Sequence, residues 1–340
     1  MGPCWNWITP KIEPRGASTV IAESLAEEYR SLTDNWGLID ISCRTRIEFS
    51  GGDRIRFLNG FCTNDLQRLT PGQGCEAFLT NVKGKTIGHV SIFCGPEHLI
   101  LETVAGQAES IMTHLDRYLI RDDVRMFDRT SEWGQLLVAG PRAGMGLDRW
   151  LNTDRDRPIG QDNGLSRYRI ELGAIDAWLI FLPREELGQR IDQLTSQGAA
   201  LCSQQAWEIL RVEAGWPEFG KDVTDANLPQ EVNRDATAIS LTKGCYLGQE
   251  TVARLDALGH VNRLLVPVRW MEQTVPAAGE AIEVEKQPTG AAVGTVTSAI
   301  WSPRWNAPLG LAYLRVPHHR PGTMLRSVAG SCVVVDMKTA

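Results

Sequence analysis

The segment Lys243-Gly244-Cys245-Tyr246-Leu247-Gly248-Gln249-Glu250 gathers an amine, a thiol, a phenol and a carboxylate around two glycines. Cys245 follows an apolar, strand-like run at 238–241. It precedes a helix expected to begin near Gly248, to turn Val252, Leu255 and Leu258 inward, and to end at Gly259. A thiol just ahead of a helix N-terminus lies at the positive end of the dipole, and Lys243 stands two residues away. Both effects favour thiolate and lower the thiol pKa. Gly244 and Gly248 free the backbone to turn tightly and to approach a ligand. The same residues also satisfy a plainer reading: Cys245 a buried, inert thiol, Tyr246 a core aromatic, and Glu250 a charge favoured by the dipole.

The rest of the chain narrows the chemistry. Its 340 residues exceed one ordinary hydrophobic core, so two or three domains are expected. A formal net charge of -6 argues against a protein that coats nucleic acid, because phosphate binding needs surplus Lys and Arg. The eight cysteines contain no C-x-x-C pair, so no zinc knuckle or iron–sulfur cradle is expected, and no metal site is assigned. Scattered cysteines without a leader read as reduced thiols in a cytosol. No apolar run reaches the roughly 18 residues that a membrane span needs. Adjacent His318 and His319, beside Arg320 and between prolines, read as a solvated loop.

The elements that must position the motif follow from periodicity. Helices are expected at 21–29, from Asp53 as cap through Ile55, Leu58, Phe61 and Cys62, at 107–121, along Leu187, Ile191 and Leu194, and at 204–214. Strands are expected at 37–41, around Val90 and Ile92, and at 99–104, 136–139, 167–172 and 177–182. From Asn262 the pattern changes to short strands between Gly and Pro turns, at 264–268, 281–285, 293–298, 310–314 and 332–336, which suggests a small antiparallel barrel. The fold class is α+β. Its expected divisions are an N-terminal extension at 1–19, two interleaved α+β units at 20–259, and a C-terminal β-barrel at 260–340.

The motif around Cys245 resembles the signature of the YgfZ family, a branch of the folate-binding aminomethyltransferase fold. Further blocks carry the likeness. Gly37-Leu38-Ile39-Asp40, Phe57-Leu58-Asn59-Gly60 and Thr63-Asn64-Asp65 are similar to its N-terminal pattern. Arg211-x-Glu213-Ala214-Gly215-x-Pro217-x-Phe219-Gly220-x-Asp222 is similar to its second block, and Val293 to Ser298 with Ser302-Pro303 to its barrel block. The resemblance implies a three-domain cloverleaf around a central channel that binds tetrahydrofolate or a related reduced folate. It implies a cytosolic accessory factor for iron–sulfur client enzymes, including those that modify tRNA, with no direct nucleic-acid or membrane partner. Cys245 and Lys243 would be its working thiol and amine. Folate contacts would come from Glu213, Arg211, Asn64, Tyr246, Gln249, Glu250 and Arg254.

Two departures separate the chain from the aminomethyltransferases. Their Gly-Gly-x-x-Asp-Asp block reads Gly84-Lys85-Thr86-Ile87-Gly88-His89 here, so the carboxylates that support methylene transfer are missing. Leu179 stands where their pterin-binding glutamate would fall. Glu213 suits the N–H groups of a pterin but suits a structural ion pair with Arg211 equally. Arg254, Arg263 and Arg304 suit the carboxylate tail of folate but also an ordinary surface. The rival functions are a folate-dependent transferase or N-demethylase of the same fold, and a binding module that has lost its chemistry.

Overall fold

In the computed structural model, residues 23–151, 165–259, 261–285 and 291–337 are described. The extension expected at 1–19 lies outside them. Two five-stranded sheets and a closed barrel share one core. The first sheet is antiparallel in the order Gly74–Thr80, Thr86–Cys94, His98–Thr103, Thr45–Ser50 and Arg125–Asp128. The second runs Ala200–Cys202, Gly37–Asp40, Trp133–Ala139, Ile175–Pro183 and Ser166–Leu172, with only its first pair parallel. The chain therefore enters the second sheet before building the first, and returns to it at Trp133.

Alternation along the strands explains the layering. Ala77, Leu79, Val90 and Ile92 pack outward beneath the helices Arg54–Asn59 and Ala108–Asp116, while their neighbours Phe78 and Phe93 point the other way. Likewise Leu136 and Val138 face the helices Ala143–Leu151 and Leu187–Ser196, while Leu137 and Ala139 face inward. The inward faces meet each other, the helix Gln204–Glu213 and the outer face of the barrel through Leu265, Ile300, Leu309, Leu311 and Tyr313. Phe93, Tyr168 and Phe181 form the aromatic centre of this junction, with ring centroids 4.5–5.8 Å apart.

The barrel closes in the order Arg263–Trp270, Ala307–Arg315, Gly294–Ser302, Ala281–Val284, Met324–Ser327 and Gly330–Val334, the last pairing with the first. The expected barrel is present. Its strand Met324–Ser327 was not expected, because four residues between turns leave no legible alternation.

Several local expectations change. The run 238–241 is not a strand: Asp235–Ala238 is one helical turn, and irregular chain follows it. The helix after Asp53 stops at Asn59, and Asp53 makes no side-chain cap. Its carboxylate accepts instead from Asp123 N at 2.9 Å. The helix expected to reach residue 121 ends at Asp116, and the first helix runs on to Asp34. Ser203, by contrast, caps Gln204–Glu213 as its type suggests, accepting from Ala206 N.

Candidate functional site

The motif leaves the one-turn helix Asp235–Ala238 and passes beside the turn at 59–64. Lys243 is buried there. Its ammonium donates to the carbonyls of Asn59 at 2.7 Å, Cys62 at 2.8 Å and Asn64 at 2.6 Å, which uses all three of its N–H groups. It also lies 5.1 Å from the centroid of the buried Tyr246 ring. Burial lowers the Lys243 pKa, against the pull of the neighbouring Cys62, whose Sγ is 3.8 Å away. Lys243 is thus a staple between the motif and the first sheet. The thiol that its ammonium approaches is Cys62, and all three of its N–H groups are committed to carbonyls and not to Cys245. Cys245 itself is exposed, three residues ahead of Gly248 at the helix cap.

Gly248 is required by its place. Its φ is 81°, and a Cβ there would stand 2.3 Å from Asn81 O and 2.8 Å from Gly84 Cα. Gly84 and Gly248 pack back to back, so the departed transferase block and the thiol motif are structurally one unit. Leu247 N donates to Gly60 O at 2.9 Å, and Thr80 Oγ1 to Leu247 O at 2.6 Å. The helix Gln249–Leu258 follows. Gln249 Oε1 accepts from Tyr246 N at 3.3 Å, while Glu250 and Arg254 are exposed on this helix.

A cavity of ≈ 620 Å³ opens where the sheets meet, a size suited to a small organic ligand. One wall is Cys75, Glu76 and Ser91 of the first sheet with Thr237. The opposite wall is the hairpin carrying Arg169, Glu171 and Asp176, and Trp216 lies between them. A second cavity of ≈ 560 Å³, holding Tyr29, Arg30, Glu213 and Arg304, lies against the same hairpin turn at 172–175.

Glu76 is the pivot of the first cavity. Its carboxylate accepts from Arg234 through both Nε, at 2.8 Å, and Nη2, from His89 Nε2 at 2.7 Å and from Thr237 Oγ1 at 3.2 Å. Burial alone would raise its pKa, but Arg234 and His89 outweigh burial and hold it down at about 2. His89 Nδ1 faces Pro217 O at 3.1 Å, so both ring nitrogens face acceptors. Arg234 lies 5.1 Å from the Trp216 ring centroid, and His89 5.6 Å.

The remaining expected residues take definite places. Glu213 is buried in the second cavity, accepting from Tyr29 Oη at 2.7 Å, Ser302 Oγ and Arg304 N at 3.4 Å. Burial raises its pKa despite those donors. Arg211 does not pair with Glu213. It is fully buried, bonded to Asp222 at 2.8 Å, to Glu208, and to Ser298 of the barrel at 2.8 Å. The Asn64 amide donates to Glu76 O and Thr237 O, each at 2.8 Å. Arg263 pairs with Glu231 at 3.1 Å, and Leu179 is core.

Sequence reasoning missed Glu76, Glu171, Trp216 and Arg234. The available signal for Glu76 was a lone carboxylate beside the apolar run 77–79. No local signal marks the others, because their partners are distant in sequence.

Comparison with known proteins agrees with this architecture. The GCVT N-terminal domain matches residues 1–159, and the glycine cleavage T-protein C-terminal barrel domain matches residues 263–334. The tRNA-modifying protein YgfZ of Yersinia pestis (strain Pestoides F) is 28% identical over 270 residues, covering 78% of each chain. The putative transferase At1g60990, chloroplastic, of Arabidopsis thaliana is 26% identical over 306 residues, covering 82% of this chain and 65% of that one. The crystal structure of glycine cleavage system aminomethyltransferase T from Bartonella henselae superposes with a TM-score of 0.83 at 19% identity, covering 93% of this chain and 89% of the other, which shows a shared fold. Among the described residues no helix is long and apolar enough to cross a membrane. With both T-protein domains in place around this junction, the chain belongs to the glycine-cleavage T-protein family as a YgfZ-like member.

Proposed function

We propose that this protein is a folate-binding accessory factor that assists assembly or repair of iron–sulfur enzymes, with Cys245 as its working thiol. The observation that carries the reading is the ≈ 620 Å³ cavity between the two sheets of a T-protein fold, with an exposed motif cysteine on the segment that follows its Thr237 wall. The cavity fits a reduced folate in its chemistry. Trp216 offers a flat wall for a pterin, the exposed Glu171 carboxylate suits the ring's N–H groups, and Arg169 suits the glutamate tail. Bound tetrahydrofolate would supply a one-carbon carrier. The chain's own contribution is to hold and orient it. The name of the YgfZ relatives agrees with clients that modify tRNA. The acidic net charge of -6 agrees with meeting those enzymes as proteins and not through a polynucleotide.

The thiol is tested in cells lacking the gene. Wild-type chain is expected to restore the activity of a dependent iron–sulfur enzyme, and Cys245→Ser is not. In the folded protein, alkylation should reach Cys245 well before the buried Cys62, Cys94, Cys202 and Cys332. Full rescue by Cys245→Ser, or labelling of Cys245 only on denaturation, contradicts a working thiol.

A further inference from the structure

A separate hollow of ≈ 420 Å³ adjoins the motif on its N-terminal side and shares only Ala236 with the central cavity. Its polar side chains are two carboxylates, one primary amide and two hydroxyls. Asp235 and Asp256 both line it, and neither carboxylate has a hydrogen-bond or ion-pair partner among the described residues. Partly enclosed and with Asp256 beside it, Asp235 is pushed up to about 6, as expected where no cation offsets the pair. Gln230 lines the same hollow at 7% exposure. Its Nε2 donates to Val252 O at 2.7 Å, which fixes the amide and leaves Oε1 buried with no donor. A buried acceptor left unmet is costly, so its persistence here calls for a partner.

No lysine, arginine or histidine lines the hollow; Ser240 and Thr242 add hydroxyls that can accept as well as donate. The described residues hold no group of three His, Cys, Asp or Glu side chains able to ligate a metal. Two carboxylates and an amide oxygen match a planar cation with several N–H donors. Ile239 and Leu241, the latter 60% exposed, supply an apolar flank for the methylenes behind such a head.

We propose that this hollow is a binding site for a guanidinium group carried on a short alkyl stem. Its charge is met by Asp235 and Asp256, a further N–H by Gln230 Oε1, and its stem by Ile239 and Leu241. The lining ends at Thr242, three residues before the exposed Cys245 in the sequence. An arginine side chain and a free alkylguanidine share the same chemistry, and the two sources separate by experiment.

Calorimetry of the full chain at low salt would use acetyl-Gly-Arg-Gly-amide, propylguanidine, and the tripeptide with neutral citrulline in place of arginine. At least one guanidinium probe is expected to bind, with the citrulline peptide at least about 10-fold weaker. Asp235→Asn with Asp256→Asn should weaken the guanidinium probe about 10–100-fold, the worth of hydrogen bonds to charged groups. Both aspartates are exposed, so the double variant should melt with the wild type. Binding of the peptide alone identifies a polypeptide source, and binding of propylguanidine as well identifies a site open to free ligands. The proposal is overturned if neither probe binds at millimolar concentration, if citrulline binds equally, or if the double variant binds unchanged.

Discussion

Arg211→Met is expected to lower the free energy of unfolding by about 3–5 kcal/mol, the cost of stripping one partner from a buried ion pair. Arg211 is fully buried at the C-terminal end of Gln204–Glu213, and its guanidinium joins three parts of the molecule. It donates to Asp222 at 2.8 Å and to Trp216 O at 3.3 Å in the loop that follows, and to Ser298 Oγ in the barrel at 2.8 Å. Burial disfavours its charge, yet Asp222, Glu208 and Glu218 outweigh burial and raise its pKa. Asp222 is itself buried, accepting from Thr297 and Ser298 at 2.5 and 2.6 Å. Methionine matches the stem of arginine but leaves the Asp222 charge without its main partner. Urea unfolding of the intact chain measures the loss, and a change under about 1 kcal/mol would mean that the network is not an anchor of the barrel.

Aminomethyl transfer with the glycine-cleavage carrier protein is expected to be weaker than in the transferases by about 10²–10⁴-fold, the worth of one positioned acid–base group. The resemblance in sequence sets Gly88 and His89 opposite the transferases' aspartates, and neither is a carboxylate. Gly88 pairs with Leu79, and His89 is buried between Glu76 and Pro217. Glu76, the carboxylate on that cavity wall, is held down at about 2 and bonded on both oxygens, so it is a poor base at neutral pH. His89→Asp should not restore transfer. It would set a second carboxylate against Glu76 and remove one of the groups that neutralise it. Turnover by the wild type at transferase rates would place the protein among the enzymes, and robust turnover by His89→Asp would mean that the scaffold still holds folate productively and lacks only that carboxylate.

What was legible in the sequence is what local periodicity controls. Most of the barrel strands follow from alternation between turns, and the helix at 204–214 from its apolar spacing. The junction core was less legible, because Phe78 and Phe93 differ from their neighbours only in which sheet face they occupy. Long-range polar partners were hidden altogether. Lys243 stands two residues from Cys245 in sequence, yet its ammonium is fixed by carbonyls at 59, 62 and 64, nearly two hundred positions away. Arg211 and Glu213, two residues apart on one helix, take separate partners in separate places. A pair read from spacing alone competes with every other charge that the fold brings nearby.

A reduced folate is expected to bind in the cavity between Glu76, Glu171 and Trp216. Calorimetry of the wild-type chain with tetrahydrofolate, under reducing conditions and beside a thermal melt, tests it most directly. Saturable heat is expected, together with stabilisation of about 2.7 kcal/mol when free ligand reaches a hundredfold over Kd. No heat and no shift in the melt, with tetrahydrofolate or its stable formyl derivative, would mean that the cavity is not a folate site.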